Sequence, residues 1–304
     1  MSSRTKAYLA LLATTVIWGF GPPIIKHALS FLTPLEFLFY RFLLVSLILL
    51  PFFVFSLKKQ PFQLRDLPAL LLVAACGTSL TLAFYFVGLS KTTSIDAAVI
   101  SATGPILIVL GGALFLKETV TLVEKVGLTL AFVGTLVAIL SPLLNGHQVL
   151  QATNTLGNFL VFCGNLTWAV YTLWGKKLFK KYPSFSVTAL SFLVGLVTFL
   201  PFFLLHLATD PQAVTPKALL ANPGLPGLLY MTFLGSFIAY FAYSYGVSLI
   251  EASEATLFSY LQPLFTAPLA VLWLKEPLTP SFLAGAALIA VGVFLTEYKP
   301  RSKT

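Results

Sequence analysis

Arg41 stands inside FLFYRFLLVSLILLPFF (residues 37–53), a run that is otherwise apolar except for Tyr40 and Ser46. A charge deep in a bilayer costs about 2.5–3.5 kcal/mol on insertion scales, so intramembrane charges tend to face cavities or partners. A guanidinium facing a cavity can hold a carboxylate or phosphate through two parallel hydrogen bonds. Two other uses compete with that one: a structural bond to carbonyls at a neighbouring helix break, and snorkelling to the headgroups. Glu36 either completes the cap that Thr33-Pro34-Leu35-Glu36 spells out or joins Arg41 in an outer gate.

Other polar side chains recur at helical spacing. Ser236, Tyr240, Tyr243 and Ser244 share one side of a helix, and Thr78 and Tyr85 occupy the places equivalent to Ser236 and Tyr243. Asn158, Asn165, Trp168 and Thr172 form a second stripe, matched by Thr15, Trp18 and Pro22. Such stripes turn away from lipid, toward a cavity or toward helix–helix hydrogen bonds worth about 0.6 kcal/mol each. Trp18 and Trp168 fall midway along their segments rather than at the interface, which suits a wall on which a solute can stack. Pro105 and Pro263 each remove a backbone donor and free a carbonyl, for a neighbouring helix to satisfy or for use as a hinge or contact; Tyr260 and Gln262 lie beside Pro263. The candidate cavity residues are therefore Trp18, Arg41, Tyr85, Asn165, Trp168, Tyr240, Tyr243, Tyr260 and Gln262. The candidate gates and hinges are Pro22, Pro23, Glu36, Pro105 and Pro263, with Pro22-Pro23 expected to kink the first helix. No covalent chemistry is visible. His27, His147 and His206 are scattered, Cys76 and Cys163 lie in apolar runs without metal or disulfide spacing, and no nucleophile–base pair or phosphate loop appears. The chain reads as no enzyme, with neither cofactor nor metal.

The elements that carry these residues are dictated by composition. Of 304 residues, 58% are hydrophobic and 10% charged, against roughly 25% charged in ordinary globular chains. Too few polar residues remain to cover a soluble surface, so the lipid bilayer is the expected partner. The net charge of +9 reads as membrane topology rather than nucleic-acid binding, because Lys and Arg cluster at the ends of apolar runs. The start, MSSRTKAYLALLATTVIWGFG, mimics a signal peptide, but no small-x-small site follows and a related copy recurs mid-chain.

Segments long enough to cross ~30 Å of hydrocarbon fall near 7–29, 34–57, 67–90, 95–116 and 122–143, and again near 156–179, 184–208, 226–249, 253–274 and 280–298. Thr279-Pro280 repeats the cap-plus-proline start, and Thr215-Pro216 is expected to open a short interfacial helix in the connection 209–226. With the amino terminus in the cytoplasm, fourteen of the nineteen basic residues lie on the inner side and four on the outer. Both termini are thus expected to be cytoplasmic.

The chain also repeats itself. Residues 85–140 align without gaps on 243–298, offset by 158, with fifteen of 56 positions identical. Tyr85/Tyr243, Gly88/Gly246, Ser101/Ser259, Pro105/Pro263, Lys117/Lys275, Glu118/Glu276, Gly127/Gly285 and Gly134/Gly292 carry the match. Trp18/Trp168, Lys26/Lys176 and LPFF (50–53 and 200–203) align at an offset of 150. Two five-helix units follow, 1–147 and 148–304. Five is odd, so the second unit enters the membrane from the opposite face, as in an inverted repeat whose halves enclose a site near the midplane. A carrier needs that symmetry; an enzyme or receptor does not.

Trp18-Gly19, Arg41-Phe42, the two prolines, and the Lys117-Glu118 and Lys275-Glu276 pairs closing the fourth and ninth segments resemble the drug/metabolite transporter superfamily, specifically the EamA-type ten-helix exporters. The likeness covers nearly the whole chain. It implies an all-α integral membrane fold of ten helices, two inverted five-helix repeats around a central cavity. It also implies movement of amino acids or other small metabolites, mostly outward, across the cytoplasmic membrane. The expected function is export of a small polar solute, an amino acid first, by alternating access, with the protein a monomer or homodimer. Rival readings are exchange of phosphorylated or nucleotide sugars, which need several convergent cations, proton-coupled efflux, for which no mid-helix carboxylate is present, and a non-transporting scaffold, for which the loops are short. The Lys-Glu pairs are expected to neutralise one another at the interface.

Overall fold

The computed structural model describes residues 2–101, 103–116, 121–144, 152–275 and 280–297. Among them all regular structure is helical. The first two segments are single helices, α1 (Ser3–Ala28) and α2 (Pro34–Lys59). The third is composite: α3 (Leu67–Ala74), a wide π turn over Ala75–Leu80, then α4 (Thr81–Lys91). The fourth is broken into α5 (Ser94–Ser101) and α6 (Gly104–Gly111) with a π turn over Gly112–Leu116, and the fifth is α7 (Leu122–Leu144).

The second unit repeats the plan. It begins with α8 (Ala152–Phe179) and α9 (Ser184–Thr209), and the short α10 (Pro216–Leu219) follows, capped by the Thr215 side chain as expected. Next come α11 (Leu225–Tyr230), a π stretch over Met231–Tyr240 and α12 (Phe241–Leu249). The ninth segment is α13 (Ala252–Leu257), a 3-10 turn over Phe258–Leu261 and α14 (Gln262–Leu274); α15 (Pro280–Glu297) is the last.

Among the described residues six helical stretches are long and apolar enough to span a membrane: Ser3–Ala28, Pro34–Lys59, Leu64–Lys91, Leu156–Phe179, Ser184–Thr209 and Leu225–Leu249. Shorter apolar helices occupy Gly104–Phe115, Lys125–Gly134, Phe258–Leu274 and Leu283–Gly292. The fourth and ninth segments are short because each breaks just before its proline. Pro105 and Pro263 sit in the first turn of the helix that follows, where a missing N–H costs least. Pro22 and Pro23, by contrast, lie inside an uninterrupted α1.

Packing follows a two-fold exchange. α1 lies against α12, the π stretch before it, and α14; its counterpart α8 lies against α4, the π turn before it, and α6. α2 packs on α9, and α7 on α15. The exchange reaches single atoms. Lys26 Nζ donates to the Leu89 carbonyl at 2.9 Å and the Thr92 carbonyl at 2.5 Å, while Lys176 Nζ donates to the Ile250 carbonyl at 2.6 Å. Lys26 and Lys176 differ by the offset of 150, Thr92 and Ile250 by 158.

Glu36 completes the cap of α2: Thr33 N donates to its Oε2 at 2.7 Å and its own N–H reaches Thr33 Oγ1. Its Oε1 accepts from Val214 N at 2.6 Å and lies 3.3 Å from His206 Nε2. Glu36 makes no ion pair with Arg41, so the outer-gate pairing of the two is not formed; the cap and the 209–215 connection hold the carboxylate instead. Lys117, Glu118, Glu276, His147, Thr279 and the expected unit boundary at 147/148 lie outside the described residues. Lys275, the remaining member of the Lys-Glu pairs, ends α14 with φ 60°.

Candidate functional site

A cavity of about 820 Å³, its mouth included, opens among α1, α2, α4, the breaks of the fourth and ninth segments, and α8. Its floor is aromatic. Trp18 and Trp168, brought together from equivalent places in the two units, meet edge to face with centroids 5.4 Å apart, and Tyr240 stands 5.1 Å from Trp18 and 5.6 Å from Trp168. Trp18 is pinned by a hydrogen bond from Nε1 to the Gly235 carbonyl at 2.9 Å, and Tyr240 by one from its hydroxyl to the Gly77 carbonyl at 3.1 Å. Both carbonyls lie within the π stretches, whose wider turns leave acceptors for side chains.

The broken helices are held from the centre. Asn165 Nδ2 donates to the Ile100 carbonyl at 2.7 Å and to Thr103 Oγ1 at 3.0 Å; Thr15 Oγ1, its counterpart in α1, donates to the Phe258 carbonyl at 3.1 Å. Ile100 and Phe258 are themselves repeat mates. The carbonyls near the proline breaks are therefore satisfied by α8 and α1, the structural outcome that the sequence left open.

Arg41 borders the cavity and is 0% exposed. Its Nε donates to Ser236 Oγ at 2.6 Å, and its Cζ lies 5.8 Å from the Phe86 ring centroid. Snorkelling is ruled out by this burial, because the head never reaches the interface. Nη1 and Nη2 have no hydrogen-bond partner.

Of the expected cavity residues, Trp18, Arg41, Tyr85, Asn165, Trp168, Tyr240 and Gln262 border the cavity, as do Pro22 and Pro105 among the expected hinges. Tyr243 does not: it lies beneath the floor, 4.9 Å from Trp168, with its hydroxyl 3.0 Å from Thr172 Oγ1. Tyr260 does not either; it is buried with Ala131 and Leu128, its hydroxyl without a partner. Pro23 and Pro263 are buried outside the lining. The sequence reading missed Gly21, Ile25, Thr81, Leu82, Phe86, Ser101, Gly104, Gly164, Met231 and Ser259. Ser101 and Ser259 carried a signal as an identical pair in the repeat. Thr81, which bonds back to the Cys76 carbonyl at 2.5 Å across the π turn, carried none.

The cavity runs from the tryptophan pair toward the face that bears Lys26 and Glu36. Toward the other face, where the chain begins, the space is filled. Tyr171 is 0% exposed, with its hydroxyl 2.9 Å from Ser244 Oγ and 3.3 Å from Thr188 Oγ1. Leu11, Leu70, Val73, Phe179 and Val247 pack around it. Near that surface Arg4 pairs with Glu254, which Tyr8 also approaches.

The profile of the EamA-like transporter family matches residues 5–140 and again 155–298. An uncharacterized transporter of Archaeoglobus fulgidus is 30% identical over 301 residues, covering 98% of this chain and 99% of that protein. A protein of Salmonella typhimurium described as a probable amino-acid metabolite efflux pump is 28% identical, covering 97% and 96%. A crystal structure at 17% identity superposes with a TM-score of 0.72 over 96% of both chains, a likeness of fold.

Proposed function

The chain belongs to the EamA-like transporter family, a multi-pass membrane transporter and not an enzyme, and from that premise we propose that it exports a small polar metabolite, an amino acid first, by alternating access. Its two five-helix units, 1–147 and 148–304, are read as inverted repeats that tilt against each other. The membrane is read as the cytoplasmic one, with both termini inside, so that the present conformation faces outward. The observation that carries this reading is a central cavity hollow toward one face and packed shut toward the other, with pseudo-equivalent residues on both sides of its floor. The description of the Salmonella relative as a probable amino-acid metabolite efflux pump supports the solute class and the direction.

No carboxylate lines the cavity among the described residues, which favours facilitated diffusion or exchange over proton coupling. A single lining cation gives little support to phosphorylated or nucleotide sugars. The test is counterflow in proteoliposomes with a panel of amino acids. Labelled solute is expected to accumulate against unlabelled solute trapped inside, without an imposed pH gradient. Uptake that requires the gradient would overturn the uncoupled mechanism, and no counterflow with any amino acid would overturn the solute class.

A further inference from the structure

We infer that the carried solute presents one carboxylate, which docks on the free edge of the Arg41 guanidinium, and an apolar body that lies along Trp18 and Phe86. The inference rests on the transport reading above and narrows it. Ser236 Oγ gives its own proton to the Met231 carbonyl at 3.0 Å. That hydroxyl therefore accepts from Arg41 Nε and fixes the plane of the guanidinium. The opposite edge keeps two N–H donors, on Nη1 and Nη2, that are buried and unpartnered. A buried cation without a counter-charge is costly until an anion meets it. Two parallel N–H groups match the two oxygens of one carboxylate.

Charge counting narrows the class. Glu36 spends its oxygens on Thr33, Val214 and His206, and among the described residues the cavity is lined by Arg41 with no acidic partner. A cationic solute would meet repulsion. A phosphate dianion would leave one charge uncompensated in a largely apolar hollow. A carboxylate balances one for one. The two-fold plan supplies no second cation, because the residue equivalent to Arg41 is Ser191, whose carbonyl accepts from Thr78 Oγ1 at 2.6 Å. The donors of Arg41 are covered, so docking displaces a neighbour. Met231 is the adaptable one, an unbranched side chain at the cavity wall.

The test measures binding to the detergent-purified full chain by tryptophan fluorescence, with matched ligands whose amine is blocked so that only the acid group differs: N-acetylphenylalanine, N-acetylleucine, their uncharged carboxamides, and the phosphonate analogue of N-acetylphenylalanine. The acids are expected to bind at least ~10-fold more tightly than the carboxamides, the size of a hydrogen-bonded charge pair. Arg41→Gln is expected to abolish that ratio and Arg41→Lys to retain part of it, the carboxamide affinity confirming that each variant is folded. Equal binding of acid and carboxamide to the unaltered chain, no binding of either acid, tighter binding of the phosphonate, or an unchanged ratio in Arg41→Gln would each overturn the inference. Flux of the same ligands in proteoliposomes separates the two levels. Acid-selective binding without flux sinks the transport reading alone, whereas equal flux of acid and carboxamide sinks the carboxylate site alone.

Discussion

The hollow and filled ends of the central space are built from equivalent positions. At the hollow end stand Gly21, Pro22 and Tyr85; at the filled end, at offsets of 150, 150 and 158, stand Tyr171, Thr172 and Tyr243. Gly21 leaves room and borders the cavity. Tyr171 takes the room: a Cβ built on Gly77 would come within 2.3 Å of its ring. Tyr243 is tied to Thr172, while their mates Tyr85 and Pro22 both border the cavity and Pro22 has no hydroxyl to offer. The lesson is that duplication supplies the pseudo-symmetric frame, and a few unlike residues decide which end closes by packing and which by movement.

The most damaging way to break the comparison is to give the filled end the residue of the hollow one. Tyr171→Gly removes a fully buried ring and the bonds to Ser244 and Thr188. The expected loss is about 3–5 kcal/mol, the range for deleting a large buried side chain, seen as a lowered unfolding temperature in detergent. Water should also enter from the terminal face. Cys76, 5% exposed and next to Gly77, should then react with a hydrophilic thiol reagent faster than in the unaltered chain, both measured with Cys163→Ser. Unchanged labelling would mean that Tyr171 is not what closes this end.

Much of the frame was legible in the sequence. The helical apolar runs, the Thr33 cap, the Thr215 start and the paired prolines each rest on local rules of length, capping and backbone donors, and six of the ten expected spans stand as long apolar helices among the described residues. Trp18 and Trp168 could be placed together because the repeat aligned them. Hidden features were those set by contacts across the units. The π stretches at 75–80 and 231–240 depend on neighbouring helices that use their carbonyls. Tyr243 shares the polar stripe of Ser236 and Tyr240, yet Thr172 draws it beneath the floor. Glu36 was poised between cap and gate, and the choice fell to Val214, more than 170 residues away. Arg41 could be seen as out of place in its run, and the offset of 150 gives it Ser191 as a mate, but only the fold reveals that its outer donors are idle.

A middle-sized effect sharpens the comparison at two identical residues. Gly88 and Gly246 are repeat mates, each at a helix crossing. A Cβ on Gly88 would meet the Gly157 carbonyl at 2.7 Å and Val161 N at 3.0 Å, atoms of the facing backbone that cannot step aside. On Gly246 it would meet the Leu11 side chain at 2.7 Å, which can change rotamer. Gly88→Ala is therefore expected to cost about 1–3 kcal/mol by overpacking, and Gly246→Ala clearly less. Equal shifts of the unfolding temperature would mean that the two crossings are equally rigid.

The smallest effect tests whether the tie between Tyr243 and Thr172 closes the filled end or merely decorates it. Tyr243→Phe keeps the ring against Trp18 and Trp168 and removes the hydroxyl that lies 3.0 Å from Thr172 Oγ1. Interhelical bonds of this kind average about 0.6 kcal/mol, so the unfolding temperature should fall only slightly, far less than for Tyr171→Gly. Tyr85→Phe, at the equivalent position, loses a hydroxyl with no such tie and is expected to change stability even less. If the two tyrosine variants behaved alike, the hydroxyl pair would contribute nothing to closure. The packing of Tyr171 against Gly77 would then be left to hold that end shut, and a carrier closed by packing can reopen when its helices separate by the width of one ring.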